Sequence, residues 1–317
     1  MNKQVKERMT RTLRSISPTR VGEEGKQKMV ERFREEYDWF SADLGRDRLA
    51  FLLYEMSQGM YKAGVVVSPG YSFLADSFLL RFIRVHMIDS DLWDLPFERF
   101  KTAIDGGSPV IFETGSGGVE AARKALNDWD GVLVAESTPG IFNLTFLEGI
   151  LLPQIEIQIT TFSALDTFSQ SHILRYGWTD LTPAILQQFN RAETDGTIWF
   201  ESDKIREWLF EFDPESMSDL VLLNALFFPQ LCGNYPEILH RKQHPESISS
   251  TGNAAADAIL SESYGILVYQ EQSLQLQKIG YPVDKPMKEL ALKGHMIGRT
   301  MMSVEAIAQR NRRGSRK

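Results

Sequence analysis

The chain has 317 residues, with 35 lysines and arginines against 42 aspartates and glutamates, and a formal net charge of -7. Its 43% hydrophobic and 24% charged residues indicate a globular protein with room for one large or two ordinary domains. The single cysteine, Cys232, excludes an internal disulfide and a cysteine-based metal site. The sequence shows no signal-peptide core and no apolar run of membrane-spanning length. We therefore expect a cytoplasmic protein without a membrane partner.

Positive charge is concentrated at the two ends. Residues 1–28 hold eight lysines and arginines against three glutamates, and residues 293–317 hold seven against Glu305 alone. The acidic body between them is unlike a generic DNA-binding surface. The basic ends could hold a nucleic-acid backbone or an acidic partner, or they could be solvated, frayed termini. The candidate nucleic-acid contacts at the C-terminal end are Arg310, Arg312, Arg313, Arg316 and Lys317.

Hydrophobic spacing predicts alternating helices and strands in the first half of the chain. Apolar residues three or four positions apart indicate helix, and valine-rich or alternating runs indicate strand. The predicted elements are helix 29–62, strand 65–67, helix 72–86, strand 132–134 and strand 152–162. In the last of these, Ile155, Ile157 and Ile159 lie on one face, with Glu156 and Gln158 on the other.

One stretch has the layout of a phosphate-binding site. Residues 108–126 read S-P-V-I-F-E-T-G-S-G-G-V-E-A-A-R-K-A-L, which predicts a strand, a glycine loop and a helix. The loop lacks the Lys-Ser/Thr pair of a phosphate-binding P-loop, and its G-x-G-G form differs from G-x-G-x-x-G. We therefore interpret Gly115–Gly118 as a helix entry in preference to a ligand cradle.

From about residue 166 the pattern becomes mainly helical. Ser202 is the predicted N-cap of a helix, Ser218 is predicted to cap the next one, and Pro229 ends it. A short strand is predicted at Thr197–Phe200, and a further helix lies within 259–279. The expected fold class is α+β, with a mixed sheet and helices followed by a mainly helical region.

Several other polar groups are candidates for a chemical role. Glu113 and Glu156 could form a makeshift metal pair, but Glu113 is one residue out of phase with neighbouring candidate positions on its strand. Asp89, Asp91 and Asp94 fit a solvated loop. His240 and His244 are four residues apart, and without a third ligand they fit surface or core histidines.

Two longer runs carry a family resemblance. They are G-T-I-W-F-E-S-D-K-I-R-E-W-L-F-E-F-D-P-E-S-M-S-D-L-V-L-L-N-A-L-F-F-P at 196–229 and S-Y-G-I-L-V-Y-Q-E-Q at 263–272. Together they resemble the fingers region of bacterial C-family replicative DNA polymerases, the DNA polymerase III alpha subunits. The matching positions are Glu201, Ser202, Arg206, Pro214, Asp219, Leu220, Val221, Ala225, Leu226, Pro229, Pro236, Arg241 and Lys242. Residues 62–77 and 88–100 are similar to two palm segments, so the resemblance extends from about residue 46 to 296.

The resemblance also identifies what this chain has lost. Counting from Phe100, the family's metal-binding aspartate positions fall on Val110, Phe112 and Thr114, and Glu156 takes the place of the third palm aspartate. Two Mg²⁺ ions need anionic oxygen ligands, which a phenylalanine cannot supply and a threonine supplies only as a neutral hydroxyl. Phe112, Thr114 and Glu156 are thus vestigial metal positions, and no residue receives a catalytic role.

Residues implied in nucleotide and DNA contact are reduced as well. The family's triphosphate-binding loop becomes Tyr71-Ser72-Phe73, and its Arg-Pro-Gly-Pro becomes Phe228-Pro229-Gln230-Leu231. Lys293 is the remaining nucleotide-binding candidate, and Arg241 and Lys242 are candidate nucleic-acid contacts. The chain between residues 130 and 144 leaves no room for the family's thumb.

The expected organisation is a basic N-terminal arm with a helical lead-in (1–45), a palm-like domain without a thumb (46–165), a fingers-like helical region (166–300) and a basic tail (301–317). The expected function is that of a non-catalytic DNA polymerase III alpha-like protein, accessory or architectural in DNA replication or DNA binding. Its partner would be a replication protein or an active polymerase, with DNA held by the basic ends.

Two alternatives remain: an active nucleotidyltransferase using Glu156 and other ligands or completed by a partner chain, and a protein-interaction scaffold without a nucleic-acid role. No cofactor is expected, with Mg²⁺ needed only if the chain is active. A phage or mobile element is the expected source.

Overall fold

The computed structural model describes residues 18–127, 129–148, 151–168 and 170–314. It divides into two compact units, Met1–Gly177 and Trp178–Lys317. The division thus falls after Gly177, later in the chain than the expected boundary at 165.

The first unit combines helices with one four-stranded sheet. The strands are β1 (Val110–Thr114), β2 (Val132–Thr138), β3 (Ile141–Phe146) and β4 (Gln154–Thr161), in the spatial order β1-β4-β3-β2. β1 runs parallel to β4, while β4 with β3 and β3 with β2 are antiparallel. The helices are α1 (Pro18–Ser41), α2 (Leu44–Lys62), α3 (Phe78–Phe82), α4 (Phe97–Asp105), α5 (Gly118–Ala125) and α6 (Gln170–Tyr176). This mixed sheet with helices confirms the α+β class.

The hydrophobic core of the first unit lies on one face of the sheet. Val110, Phe112, Ile157 and Ile159 belong to one buried cluster with residues of α2 and α5. α2 and α5 approach closely at Gly59, where an added Cβ would lie 2.9 Å from the Ala125 Cβ. A side chain at position 59 would push these helices apart, so the glycine sets how tightly they cover the sheet.

The second unit is helical. Its helices are α7 (Pro183–Asn190), α8 (Asp203–Phe212), α9 (Met217–Leu226), α10 (Tyr235–Gln243), α11 (Ala254–Leu260), α12 (Gln270–Lys278) and α13 (Lys293–Gly314). α9 is buried from Leu220 to Leu226 and packs against α13. α13 continues through residue 301 with Met302, Val304 and Ile307 buried, so its second half belongs to the packed unit.

Several local predictions are confirmed. β2 and β4 lie at the predicted strands 132–134 and 152–162, α8 begins after Ser202, and α12 lies within 259–279. The predicted helix 29–62 is two helices, because Asp43 leaves the helical conformation and its carboxylate accepts a bond from the Gly45 N–H at 2.9 Å.

Other local predictions are wrong. Residues 65–67 form no strand of their own, and only Val67 bridges to Thr114. Residues 72–86 break into a 3-10 turn at Ser72–Asp76 and the short α3, because Ser77 caps α3 and Arg84 has a left-handed φ of 60°. Ser216, not Ser218, caps α9 by accepting a bond from the Asp219 N–H.

The predicted strand Thr197–Phe200 is a tight turn. The Trp199 N–H donates to the Thr197 carbonyl at 2.7 Å, and Ile198 between them has a φ of 64°. A β-branched residue is sterically strained in this left-handed region. Residue propensities therefore do not predict this turn for Ile-Trp-Phe. Within the described residues, no helix has the length and apolarity needed to cross a bilayer.

Candidate functional site

The β1 positions that the resemblance predicts as former metal ligands are buried. In the parallel pairing with β4, Val110 is opposite Ile157, Phe112 is opposite Ile159, and Thr114 is opposite Thr161. All three β1 side chains are buried, with Phe112 only 2% exposed. Because residues opposite each other across a pair share a face, these positions point to the helix-covered side of the sheet.

Glu156 lies on the other face of the sheet. It alternates with the buried Ile155 and Ile157 and stands opposite Asn143 on β3. Its carboxylate accepts a hydrogen bond from the Gln158 side-chain amide at 2.6 Å. The structure therefore does not bring Glu156 together with Phe112 and Thr114, and the inferred three-residue vestigial site is not assembled.

Glu113 shares the face of Glu156 but not its level along the sheet. Glu113 is opposite Thr160, four residues along β4 from Glu156. At about 3.3 Å per residue the two positions are offset by roughly 13 Å. Paired catalytic ions stand about 3.5–4 Å apart and need ligands that converge on them. Glu113 and Glu156 therefore do not converge on a Mg²⁺ pair of this kind.

The glycine loop before α5 is a helix entry, as interpreted. Gly117 adopts a φ of 87° at the N-cap, a conformation that favours glycine. The Ser116 N–H and hydroxyl donate to the two oxygens of Asp166, at 2.7 and 2.5 Å. A carboxylate of the chain itself thus sits where a phosphate would bind. Asp166 comes from a distant turn, and nothing in the local sequence of the loop indicated it.

Lys293 is engaged inside the second unit. Its side chain is 6% exposed, and its ammonium lies 2.6 Å from the carboxylate of Glu262. The backbone N–H groups of Lys293 and Gly294, at the start of α13, donate to the buried Glu271 at 3.0 and 3.3 Å. Both the amine and the helix N-terminus that could receive a phosphate therefore already have carboxylate partners.

Arg241 and Lys242 connect segments of the second unit. Arg241 donates to the Tyr264 carbonyl at 3.0 Å and to Glu237 at 2.7 Å. The Lys242 ammonium lies 3.0 Å from the Asp213 carbonyl and 3.3 Å from Asp219.

The Tyr264 hydroxyl donates to Asp219 at 3.2 Å, which joins the two runs that carry the family resemblance. Burial and the charge of Asp219 raise the pKa of Tyr264, which keeps this hydroxyl protonated as a donor. These contacts give Arg241, Lys242 and Tyr264 roles in the fold that do not require contact with DNA.

The C-terminal arginines are also held largely within the chain. Arg310 donates to the carbonyls of Glu193 and Asp195 at 2.6 and 3.1 Å. Arg312 donates to the buried Glu305 at 2.5 Å. Arg313 is exposed, and the candidates Arg316 and Lys317 lie outside the described residues.

The remaining polar candidates form no metal site. Asp89 pairs with Arg81 at 2.8 Å, and the rings of His240 and His244 lie 4.8 Å apart. In the described ranges, no group of three or more histidine, cysteine or acidic side chains could hold a metal ion.

Comparison with known proteins finds a family match within the second unit. Residues 178–285 match the finger domain of the bacterial DNA polymerase III alpha subunit. The match starts with the first residue of the second unit, whose packing contains both resemblance-carrying runs. This agrees with the fingers resemblance seen in the sequence.

Curated relatives are full alpha subunits. DNA polymerase III subunit alpha of Ureaplasma parvum serovar 3 is 30% identical over 139 residues, or 44% of this chain and 13% of that protein. Its counterpart in Halalkalibacterium halodurans is 34% identical over 86 residues, or 27% of this chain and 8% of the relative. The subunit of Staphylococcus aureus (strain Mu50) is 27% identical over 92 residues, or 29% of this chain and 8% of that protein.

The matched segments span about an eighth or less of the curated relatives. The chain is thus similar to C-family polymerase alpha subunits over part of its length, as the sequence resemblance predicted. This similarity supports a role related to DNA polymerase and replication.

Proposed function

We propose that this chain is a non-catalytic DNA polymerase III alpha-like protein with an accessory or architectural role in DNA replication, acting with a partner protein. The observation that supports the proposal is the phase of β1. Phe112 and Thr114 face the core, while Glu156 lies on the opposite face of the sheet. Restoring one acid would not create a metal site, since the positions do not converge.

A primer-extension assay tests this proposal. Purified chain is incubated with a primed template and all four deoxynucleotides, with Mg²⁺ or Mn²⁺, beside an active replicative polymerase as positive control. We expect no templated extension. Extension that persists through purification and disappears in Glu156→Gln, but not in Gln154→Ala at an exposed position of the same strand, would contradict the non-catalytic function.

The alternative of an active nucleotidyltransferase rests on Glu113 and Glu156 sharing one face. Their offset means that further ligands would have to come from elsewhere, such as a partner chain. The same assay, repeated with Glu113→Gln in the presence of replication proteins from the source cell, tests it. Loss of extension in both glutamate variants would favour the alternative.

The scaffold alternative is supported by the internal engagement of Arg241, Lys242 and Arg310. We test it by fluorescence anisotropy with labelled single- and double-stranded DNA at several salt concentrations. DNA contact through the basic C-terminal end predicts binding that weakens steeply with salt and is reduced by the combined change Arg313→Ala, Arg316→Ala and Lys317→Ala. Absence of salt-dependent binding would favour the scaffold.

We include in the proposal a phage or mobile-element source and action in the bacterial cytoplasm. The neighbouring genes test the source and the partner together. An adjacent frame with intact palm aspartates or a thumb would indicate a paired or split polymerase, whereas a host chromosomal locus without replication genes would contradict this part.

A further inference from the structure

Among the described residues, the sheet of the first unit has one edge without a neighbouring strand. The outer edge of β1 is covered, because the Gly115 N–H donates to the Val66 carbonyl at 2.8 Å and the Ser68 N–H to the Glu113 carbonyl at 2.9 Å. At the other end of the sheet, β2 is the last strand in the described part of the chain. From Leu133 to Thr138 its residues are exposed or half-buried.

The phase of the open edge follows from the pairing with β3. The Leu147 N–H donates to the Gly131 carbonyl at 3.0 Å, in the same register that pairs Leu133 with Thr145. In an antiparallel ladder, alternate residues direct their N–H and C=O groups to the same neighbour. Gly131 and Leu133 therefore direct their backbone groups to β3, while Val134 and Glu136 direct theirs outward. Val132 has the same phase as Val134, but its N–H donates to the Trp129 carbonyl at 3.4 Å.

The side chains of this edge do not oppose pairing. Natural edge strands are protected by lysines, prolines or inward charges, and V-L-V-A at 132–135 has none of these. Leu133 is 59% exposed. Glu136 carries the edge's acidic charge, and Arg123 neutralises it with contacts of 2.7 and 2.9 Å to its two carboxylate oxygens. An irregularity between Glu136 and Thr138 ends the regular part of the edge, which leaves 132–136 as the pairing segment.

We propose that a second copy of this chain pairs with β2 in the antiparallel direction, with the two-fold axis at Val134. In this register the two Val134 residues are opposite each other, Leu133 is opposite Ala135, and Val132 is opposite Glu136. The segment is self-complementary, as a two-fold interface requires. The two Glu136 positions are four residues apart along the strands, about 13 Å, so like charges do not meet. The product is one continuous eight-stranded sheet.

Sedimentation velocity over a range of concentrations gives the first test. We expect a monomer–dimer equilibrium whose dissociation constant rises at least about tenfold in Leu133→Lys, which places a charge on the apolar edge. Val134→Pro should act similarly by removing an outward N–H that β3 does not use. Leu92→Lys is the matched control, because Leu92 is 77% exposed in a turn of the same unit and should leave the equilibrium unchanged.

Disulfide trapping gives the second test and fixes the register. Across a hydrogen-bonded antiparallel pair the Cα atoms are about 5.5 Å apart, within the range of a disulfide. In a Cys232→Ser background, Val134→Cys should form a disulfide-linked dimer under mild oxidation, and Leu92→Cys should not. A wild-type chain that remains monomeric at all concentrations overturns the proposal. A dimer that neither Leu133→Lys nor Val134→Pro weakens also overturns the proposal. The same holds for a dimer in which Val134→Cys forms no intermolecular disulfide. Far-UV circular dichroism checks that each variant is folded. If Val134→Pro is unfolded, the sedimentation test rests on Leu133→Lys.

Discussion

At the scale of single residues, Phe112 shows that β1 is part of the core of the first unit. The aromatic ring is buried opposite Ile159, within the main cluster of the first unit. We predict that Phe112→Asp lowers the free energy of unfolding of this unit by at least about 3–5 kcal/mol, because it removes a core ring and buries an acid. Urea denaturation measures the loss. Ile111→Asp, at a half-buried position on the other face of the same strand, is the control and should cost clearly less; equal losses would contradict the assigned faces.

His86 gives the first unit a pH dependence. Burial lowers the pKa of His86 from 6.5 to about 3, and its Nε2 donates to the Ser77 carbonyl at 2.8 Å. Between these two pKa values the unfolded chain binds a proton that the folded chain rejects, so the free energy of unfolding falls as the pH falls. The decrease attributable to His86 is roughly 2 kcal/mol between about pH 6.5 and 5.

Glu36, which accepts a bond from the Ser77 hydroxyl, contributes with the opposite sign. Burial raises its pKa, so protonation favours the folded state as the pH falls. Urea titrations of the wild type and His86→Gln at several pH values separate the two groups. We expect the variant to lose the His86 part of the slope and keep that of Glu36. Parallel slopes in the two proteins would contradict the prediction.

At the scale of elements, carboxylates of the chain occupy the places where helix N-termini attract anions. Glu36 accepts from the N–H groups of Phe78 and Leu79 at the start of α3, and Glu271 does the same for α13. Asp166 closes the glycine loop before α5. Glu36 and Glu271 satisfy donors that their helices leave unpaired, whereas Asp166 satisfies the N–H of Ser116, one residue before the N-cap of α5. Sequence motifs that look like phosphate cradles are thus used here to fix helices in place.

The contact between α9 and α10 yields a prediction that separates folding from DNA binding. Lys242 lies against Asp219 with both side chains largely buried, and its ammonium stands 4.3 Å from the Phe212 ring centroid. Lys242→Met keeps the apolar stem but leaves Asp219 without this cation. We predict a loss of about 1–3 kcal/mol in the stability of the second unit and no change in the salt dependence of any DNA binding.

Lys288→Met, at an exposed position of the turn Met287–Glu289, is the matched control and should leave stability unchanged. Chemical denaturation and fluorescence anisotropy are measured on both variants. The prediction is contradicted if Lys242→Met has normal stability but binds DNA more weakly and with less salt dependence. Lys242 would then be a DNA contact.

At the scale of the whole molecule, sequence reasoning succeeded where a periodic pattern reports burial directly. The isoleucines of β4 and the helix after Ser202 were found in this way, and the fingers runs predicted the similarity of residues 178–285 to the finger domain of DNA polymerase III alpha subunits. It failed where structure depends on distant groups, as with Asp166 over the glycine loop. The metal positions on β1 stay a prediction, because counting aspartate positions along the chain does not fix side-chain phase. A shift of one residue moves every side chain to the other face, and one sequence alone does not fix that phase.

The presence of two compact units predicts two unfolding events. The main cluster from Phe40 to Ile159 lies within the first unit, and the cluster of Ala256, Leu260 and Leu276 lies within the second. Each unit therefore has its own apolar core, and we expect each to unfold in a cooperative transition of its own. Native-state hydrogen exchange followed by mass spectrometry in increasing urea reads peptides of the two units separately.

We expect Phe112→Asp to lower protection in peptides of 18–177 while peptides of 178–314 keep theirs, and Lys242→Met to give the reverse pattern. Substitutions in separate cores should act additively, so the double variant should show both losses unchanged. If either single variant lowered protection equally across both sets of peptides, the chain would unfold as one cooperative body. The finger-like unit could not then be treated as a separate folding unit.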